Sequence, residues 1–256
     1  MLVDSHCHID FPELAGQIDS ILALMRENEV EAALCASVTL EDFPRVRKLA
    51  ETYPHIYASV GVHPDYESVA AVSVAELVTL AEHPRIVAIG ETGLDYYRLQ
   101  GDLEWQRERF RSHIRAAREC GKPLIIHTRS AAEDTLRIMR EERADEAGGV
   151  MHCFTENMEV AAAAMDLGFY ISFSGIVTFK NAKGIKEVAR QVPLTKTLVE
   201  TDSPYLAPVP YRGRTNQPGY VRHVGEEIAR LKELDYAQLC SVTTSNFYKL
   251  FNSIKR

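Results

Sequence analysis

Four histidines and two carboxylates in this chain stand where apolar runs give way to polar residues, and together they have the chemistry of a metal site. His6 and His8 are one residue apart in LVDSHCHID. On an extended strand, the period of two puts both imidazoles on one face, with Asp4 beside them. Glu91 ends VAIGE, His127 ends LIIH, His152 follows VM and Asp202 follows LVET. Each is in phase with an apolar residue upstream: Ile89, Ile125, Val150 and Leu198. Six nitrogen and oxygen donors of this kind suit Zn, Mn or Mg rather than copper–thiolate or iron–sulfur chemistry. An HxH pair alone is as readily the polar end of a strand; the accumulation of donors at successive segment ends gives the metal reading its weight.

His63 also ends an apolar segment. By contrast, His55 and His83 precede segments and His113 and His223 fall in helical stretches, so these four are expected to be surface or packing residues. Cys7 and Cys153 adjoin the donors but point the other way by strand parity, as small buried hydrophobes. The five cysteines contain no CxxC pair, which excludes a zinc knuckle and a disulfide framework and suits a reducing cytoplasm.

The positioning elements follow from the hydropathy pattern. Apolar segments at 2–6, 32–38, 56–62, 86–90, 124–127, 150–153, 169–173 and 197–200 alternate with amphipathic stretches. One such stretch carries Phe110, Ile114 and Ala117 among arginines and ends at Gly121. Nearly unbroken apolar runs such as VAIG and PLII predict parallel strands covered on both faces. Eight strand–helix units in 256 residues predict a single α/β domain over 1–256, a (β/α)8 TIM barrel, with a doubly wound open sheet as runner-up. In a barrel the C-terminal strand ends converge on one face, which is where the donors fall. The GETG segment lacks the GxGxxG of a dinucleotide site, and 221–256 reads as two closing helices. With 29 Lys and Arg against 36 Asp and Glu, the net charge of -7 argues against wholesale attachment to duplex DNA or anionic membrane and leaves room for a local basic rim. No stretch reads as a targeting or membrane-spanning segment. The expectation is a cytoplasmic monomer.

DSHCHID, VGVHP, IGETGLDY, PLIIHTR, MHCF and ETDSPYLAP, in this order, resemble the TatD family of metal-dependent deoxyribonucleases, within the amidohydrolase-type barrels. The resemblance runs from Asp4 to the 241–249 region. It implies two divalent cations, the first held by His6, His8 and Asp202, the second by His127 and His152, with Glu91 bridging. Related amidohydrolases often bridge their metals through a modified lysine; here the position offers Glu91. The implied substrate is a nucleic acid phosphodiester. Two cations about 3.5 to 4 Å apart activate a shared water and stabilise the leaving alkoxide. Asp202 is the first candidate for the base that takes the water proton and Glu200 the second, with Glu200, like Asp4, also suited to fixing an imidazole tautomer. His63 and Arg129 read as donors to phosphate oxygens. The segment after the eighth strand adds Arg212, Arg214, Tyr205 and Tyr211 as phosphate and stacking contacts, and Tyr96 and Tyr97 suit the wall of the site or core packing equally. A concave barrel mouth favours DNA single strands or strand ends as the partner. The alternatives are a small-molecule amidohydrolase or esterase on the same binuclear site, and a metal-dependent binding protein without turnover.

Overall fold

The apolar runs become eight strands in the computed structural model, which describes residues 1–67, 72–97, 99 and 101–255. They are β1 (Leu2–Cys7), β2 (Val30–Cys35), β3 (Ile56–Val60), β4 (Ile86–Asp95), β5 (Leu124–Arg129), β6 (Gly149–Met151), β7 (Tyr170–Phe173) and β8 (Thr197–Val199). Each pairs in parallel with the next in chain order. The ends also meet: Cys7 bridges to Ser203, the His8 N–H donates to the Ser203 carbonyl at 2.7 Å, and the Asp202 N–H donates to the His6 carbonyl at 3.0 Å. The sheet is therefore a (β/α)8 TIM barrel rather than a doubly wound open sheet.

Helices α1 (Ile18–Glu27), α2 (Phe43–Thr52), α3 (Val74–Ala81), α4 (Glu104–Cys120), α5 (Ala132–Glu141), α6 (Met158–Asp166), α7 (Lys183–Gln191) and α8 (Val221–Leu231) follow the strands, and α9 (Tyr236–Leu250) ends the chain's regular structure. Their limits are chemically marked. Ser73, Asn157 and Asp235 cap the starts of α3, α6 and α9, and α4 stops at Gly121 in the left-handed region. The barrel interior packs Val3, Leu34, Val87, Ile125, Val150 and Leu198 with Phe247 and Phe251. Phe247 comes from α9, whose Asn246 donates to the carbonyls of Leu194 and Thr197 at the start of β8. α9 thus plugs the end of the barrel opposite the donors.

Strand parity, however, breaks at two strands that matter. Val3 belongs to the inner cluster, and Ser5 reaches Ser172 of β7 at 3.1 Å, past the intervening β8, so simple alternation would turn His6 outward. A register shift between Asp4 and Cys7 resets the phase. In β4 the shift lies between Ile89 and Thr92, and Ile89 packs in the outer core instead of lying on Glu91's face as expected. Bulges of this kind re-aim side chains near active sites. β4 also runs on to Asp95, past the expected end at residue 90, because Gly93 lets it lie tightly on β5. At Gly93 the φ is +137°, and an added Cβ would sit 2.0 Å from the His127 carbonyl oxygen.

Gly93→Ala is expected to destabilise the protein by about 1–3 kcal/mol, the usual range for a strained backbone position. Denaturant unfolding measures it; an unchanged midpoint would show that β4 and β5 can separate without cost.

Candidate metal centre

The donors converge on Glu91, which is 2% exposed at the C-terminal mouth of the barrel. Its Oε2 lies 3.2 Å from His6 Nε2 and 3.6 Å from His8 Nε2; its Oε1 lies 2.7 Å from His152 Nε2, 3.3 Å from His127 Nδ1 and 3.4 Å from His63 Nε2. Asp202 Oδ1 stands 3.5 Å from His8 Nε2 and 3.9 Å from His6 Nε2. Three overlapping donor sets have all their atoms within 4.8 Å of one another: His6, His8 and Glu91; His63, Glu91 and His127; His6, His152 and Asp202. All six expected ligands are brought together, and His63 joins them.

Hydrogen bonds behind the rings decide which nitrogen each presents. His8 Nδ1 donates to the Ala36 carbonyl at 3.1 Å, so Nε2 offers its lone pair inward. His6 Nε2 faces that atom at 3.2 Å, and its own Nδ1 is buried without a partner. Two ring nitrogens this close need a proton or a cation between them. His127 is held through Nε2 by Asp95 Oδ2 at 3.1 Å, which turns Nδ1 toward Glu91. His152 is backed by Glu200 Oε1, 3.3 Å from Nδ1, and its Nε2 has no hydrogen-bond partner although buried. A buried donor set of nitrogens and carboxylate oxygens, converging in groups within 4.8 Å of one another, fits divalent cations. His63 differs. Its Nδ1 accepts the Asp65 N–H at 3.1 Å, so Nε2 carries the proton and donates.

Electrostatics agree with this arrangement in the metal-free protein. Burial raises Glu91, but the surrounding imidazoles outweigh it and hold its pKa well below the ordinary carboxylate value. His8, despite burial, is raised to about 9 by Asp202 and Glu91, and His152 is raised by Glu91 and Glu200. His63 is pushed down to about 3 by burial, reinforced by His127 and His152.

Glu200 lies fully buried behind His152 and also accepts the Cys153 N–H at 2.7 Å. Asp202 keeps 16% of its side-chain surface exposed, His127 18% and His63 15%, so these three border the open mouth. Arg129 lies over the exposed Tyr97 ring at 3.8 Å, and exposed Arg212 over Phe179 at 3.7 Å; Arg214 is exposed on the same loop. Several expectations need correction. Asp4 takes the Thr201 N–H and hydroxyl at 2.8 and 2.5 Å, fastening β1 to the segment after β8 rather than orienting an imidazole. Tyr211 is stacked on Tyr220 at 4.0 Å and 3°, and Tyr96 bonds to Asp134. Cys153 reaches Ser174 at 3.2 Å and is partly exposed, whereas Cys7 is fully buried as expected. His113, by contrast, is a packing residue as expected, a satisfied core histidine between the Val62 N–H and the Arg109 carbonyl. Two residues were missed. Asp95 follows Glu91 by four residues, which puts it in phase once β4 is seen to continue; Phe11, stacked on His8 at 4.7 Å, left no signal.

A family model described as "TatD related DNase" matches residues 3–252. The chain belongs to the TatD family of metal-dependent hydrolases. An uncharacterized metal-dependent hydrolase, YcfH, of Escherichia coli (strain K12) is 48% identical over 254 residues, 98% of this chain and 96% of that protein. The 3'-5' ssDNA/RNA exonuclease TatD of Escherichia fergusonii is 31% identical over 256 residues, 98% of each. The crystal structure of YJJV, a TatD homolog from Escherichia coli K12, superposes with a TM-score of 0.91 at 29% identity, covering 98% of each chain. No helix among the described residues is long and apolar enough to cross a membrane.

Two outcomes are expected for this TatD-family centre. Coordination needs neutral imidazoles, and His8 with a pKa of about 9 is protonated at pH 7, so a cation must displace protons. Affinity for Zn or Mn should rise with pH above 7 as His8 and His152 lose their protons; titration calorimetry in buffers of different ionisation enthalpy reads the released protons. Asp95→Asn should weaken cation binding about 10- to 100-fold with the circular dichroism spectrum unchanged, whereas unaltered affinity would mean that His127 holds its orientation without Asp95.

Proposed function

We propose that this chain is a phosphodiesterase acting on nucleic acid, DNA first, taken as single strands or strand ends, with two divalent cations as cofactors. The observation that supports it best is Glu91, whose two oxygens face different donors: Oε2 toward His6 and His8, Oε1 toward His127 and His152. His6, His8 and Asp202 would hold one cation and His127 and His152 the other, with Glu91 available to both. Bound there, the cations supply an activated water and charge stabilisation for the phosphoryl oxygens. The chain's own residues do the rest.

Asp202 borders both His6 and His8 and stays partly open to the mouth, which suits it to accept the water proton. Glu200, buried behind His152, holds that ring's tautomer instead. His63, kept neutral with its Nε2 proton aimed into the site, donates to a phosphate oxygen. Its loop is fixed from α4: Gln106 donates to the Pro64 carbonyl and Arg109 to the Tyr66 carbonyl. Arg129, Arg212 and Arg214 line the rim as cationic contacts for flanking phosphates. The relative named as a 3'-5' ssDNA/RNA exonuclease supports this substrate class at 31% identity.

Hydrolysis of single-stranded DNA, duplex DNA, bis(4-nitrophenyl) phosphate and a panel of amides and lactones, each with and without Mn, tests the reading. Turnover confined to amides or lactones would overturn it, and metal binding without any turnover would make the protein a binder. Glu91→Gln is expected to lower metal content and rate together. Asp202→Asn should reduce kcat at least about a hundredfold; a change in KM alone would remove the base assignment. Replacing Arg212 and Arg214 by alanine should flatten the salt dependence of DNA binding by about 0.7 log unit per lost single-strand contact, with far less effect on the nitrophenyl ester.

A further inference from the structure

Three aromatic rings climb from the metal centre to solvent. Phe11 stacks on the His8 imidazole with centroids 4.7 Å apart and 20° between planes, and Tyr205 meets Phe11 edge-on at 6.1 Å and 75°. Tyr205 is 51% exposed. Its backbone is nevertheless held firmly: its N–H donates to the Asp202 carbonyl at 3.0 Å, and its carbonyl accepts from Asn216 Nδ2 at 2.6 Å. A rigidly mounted aromatic side chain left half in water adds little to the core and is a common contact for flat apolar ligands.

Exposed side chains of this kind are not scattered over the molecule. Among the described residues, the large apolar or aromatic side chains that are a third or more exposed are Met1, Tyr66, Tyr97, Tyr205 and Val209. All but Met1 lie on loops that follow the C-terminal ends of β3, β4 and β8. Tyr205 continues, through Phe11, a stack that begins at His8, and Tyr66 is linked in the same way through His63 to His127; of the two, Tyr205 is the more exposed.

We propose that Phe11 and Tyr205 form a stacking subsite for an unpaired nucleobase beside the phosphodiester being cleaved. The inference rests on the phosphodiesterase reading above. The 75° between the rings makes a corner, in which a flat base lies on one aromatic face with its edge against the other. Inside a duplex, both faces of a base are covered by its stacked neighbours, so only an unpaired or terminal base enters the corner. Single-strand preference then has a residue-level cause, separate from the shape of the barrel mouth.

The test uses two single-stranded deoxyoligonucleotides, one with every base and one with tetrahydrofuran abasic residues on both sides of the cleaved bond. The wild-type protein is expected to favour the base-bearing strand by about tenfold or more in kcat/KM, the scale of one base–aromatic stack. Tyr205→Ala should bring that ratio near one while metal content stays at the wild-type level, and Tyr205→Phe should restore it. A ratio unaltered by Tyr205→Ala overturns the subsite. Equal hydrolysis of both strands by the wild-type protein also overturns it and leaves the phosphodiesterase reading standing, whereas hydrolysis of neither strand overturns both.

Discussion

A single buried carboxylate sets the terms for the rest of this barrel. Glu91 has five imidazoles within 3.6 Å and almost no contact with water. A carboxylate taken out of water in this way is strongly unfavourable unless positive charge comes with it. In the metal-free protein that charge can only be protons on the rings, which is why His8 and His152 are raised while Glu91 is lowered. Divalent cations meet the same demand with more charge and better geometry. The centre is therefore electrostatically incomplete without cations, and metal dependence follows from the fold rather than being added to it.

Four of the five rings around this carboxylate are fixed from behind by a hydrogen bond. The fixings are unequal. Asp95 and Glu200, both carboxylates, back His127 and His152, whereas His8 leans on a neutral carbonyl and His6 Nδ1 has no partner. The His6 and His8 side instead receives its negative charge directly from Asp202. One side thus carries its extra anion within ligand distance and the other one shell further out. Asp95 is in turn tied to α4, since its N–H donates to Gln106 Oε1, and the same glutamine holds the Pro64 carbonyl next to His63. A polar ridge on one outer helix therefore fixes both the carboxylate behind His127 and the loop that carries His63.

What the sequence disclosed follows from the same physics. Parallel strands buried on both faces must be nearly unbroken apolar runs, so a polar residue directly after one is conspicuous, and His127, His152 and Asp202 could be read in this way. His6, His8 and Glu91 do converge with the other donors, although the parity argument that placed His6 and Glu91 there fails. His6 and Glu91 face inward because bulges shift the phase, and bulges depend on neighbouring strands rather than on local pattern. Asp95 was hidden by ending β4 five residues early. Phe11 and the pairing of Tyr211 with Tyr220 are loop-packing outcomes with no periodic signature.

Net charge alone says little about where the charges of this chain sit. The arginines of α4 are consumed locally: Arg107, Arg111, Arg115 and Arg118 all pair with nearby acidic groups, several of them on the adjoining α5 or just after it. Such pairs cancel in the far field and contribute nothing to attracting a polyanion. Arg129 and Arg212 are placed differently, with their guanidinium carbons 3.8 and 3.7 Å from the ring centroids of Tyr97 and Phe179. Stacking occupies the face of a guanidinium and leaves its in-plane N–H donors directed outward, the geometry that phosphate oxygens require. A chain with a formal charge of -7 thus still places Arg129 and Arg212 at the C-terminal ends of the strands, where each lies over an aromatic ring.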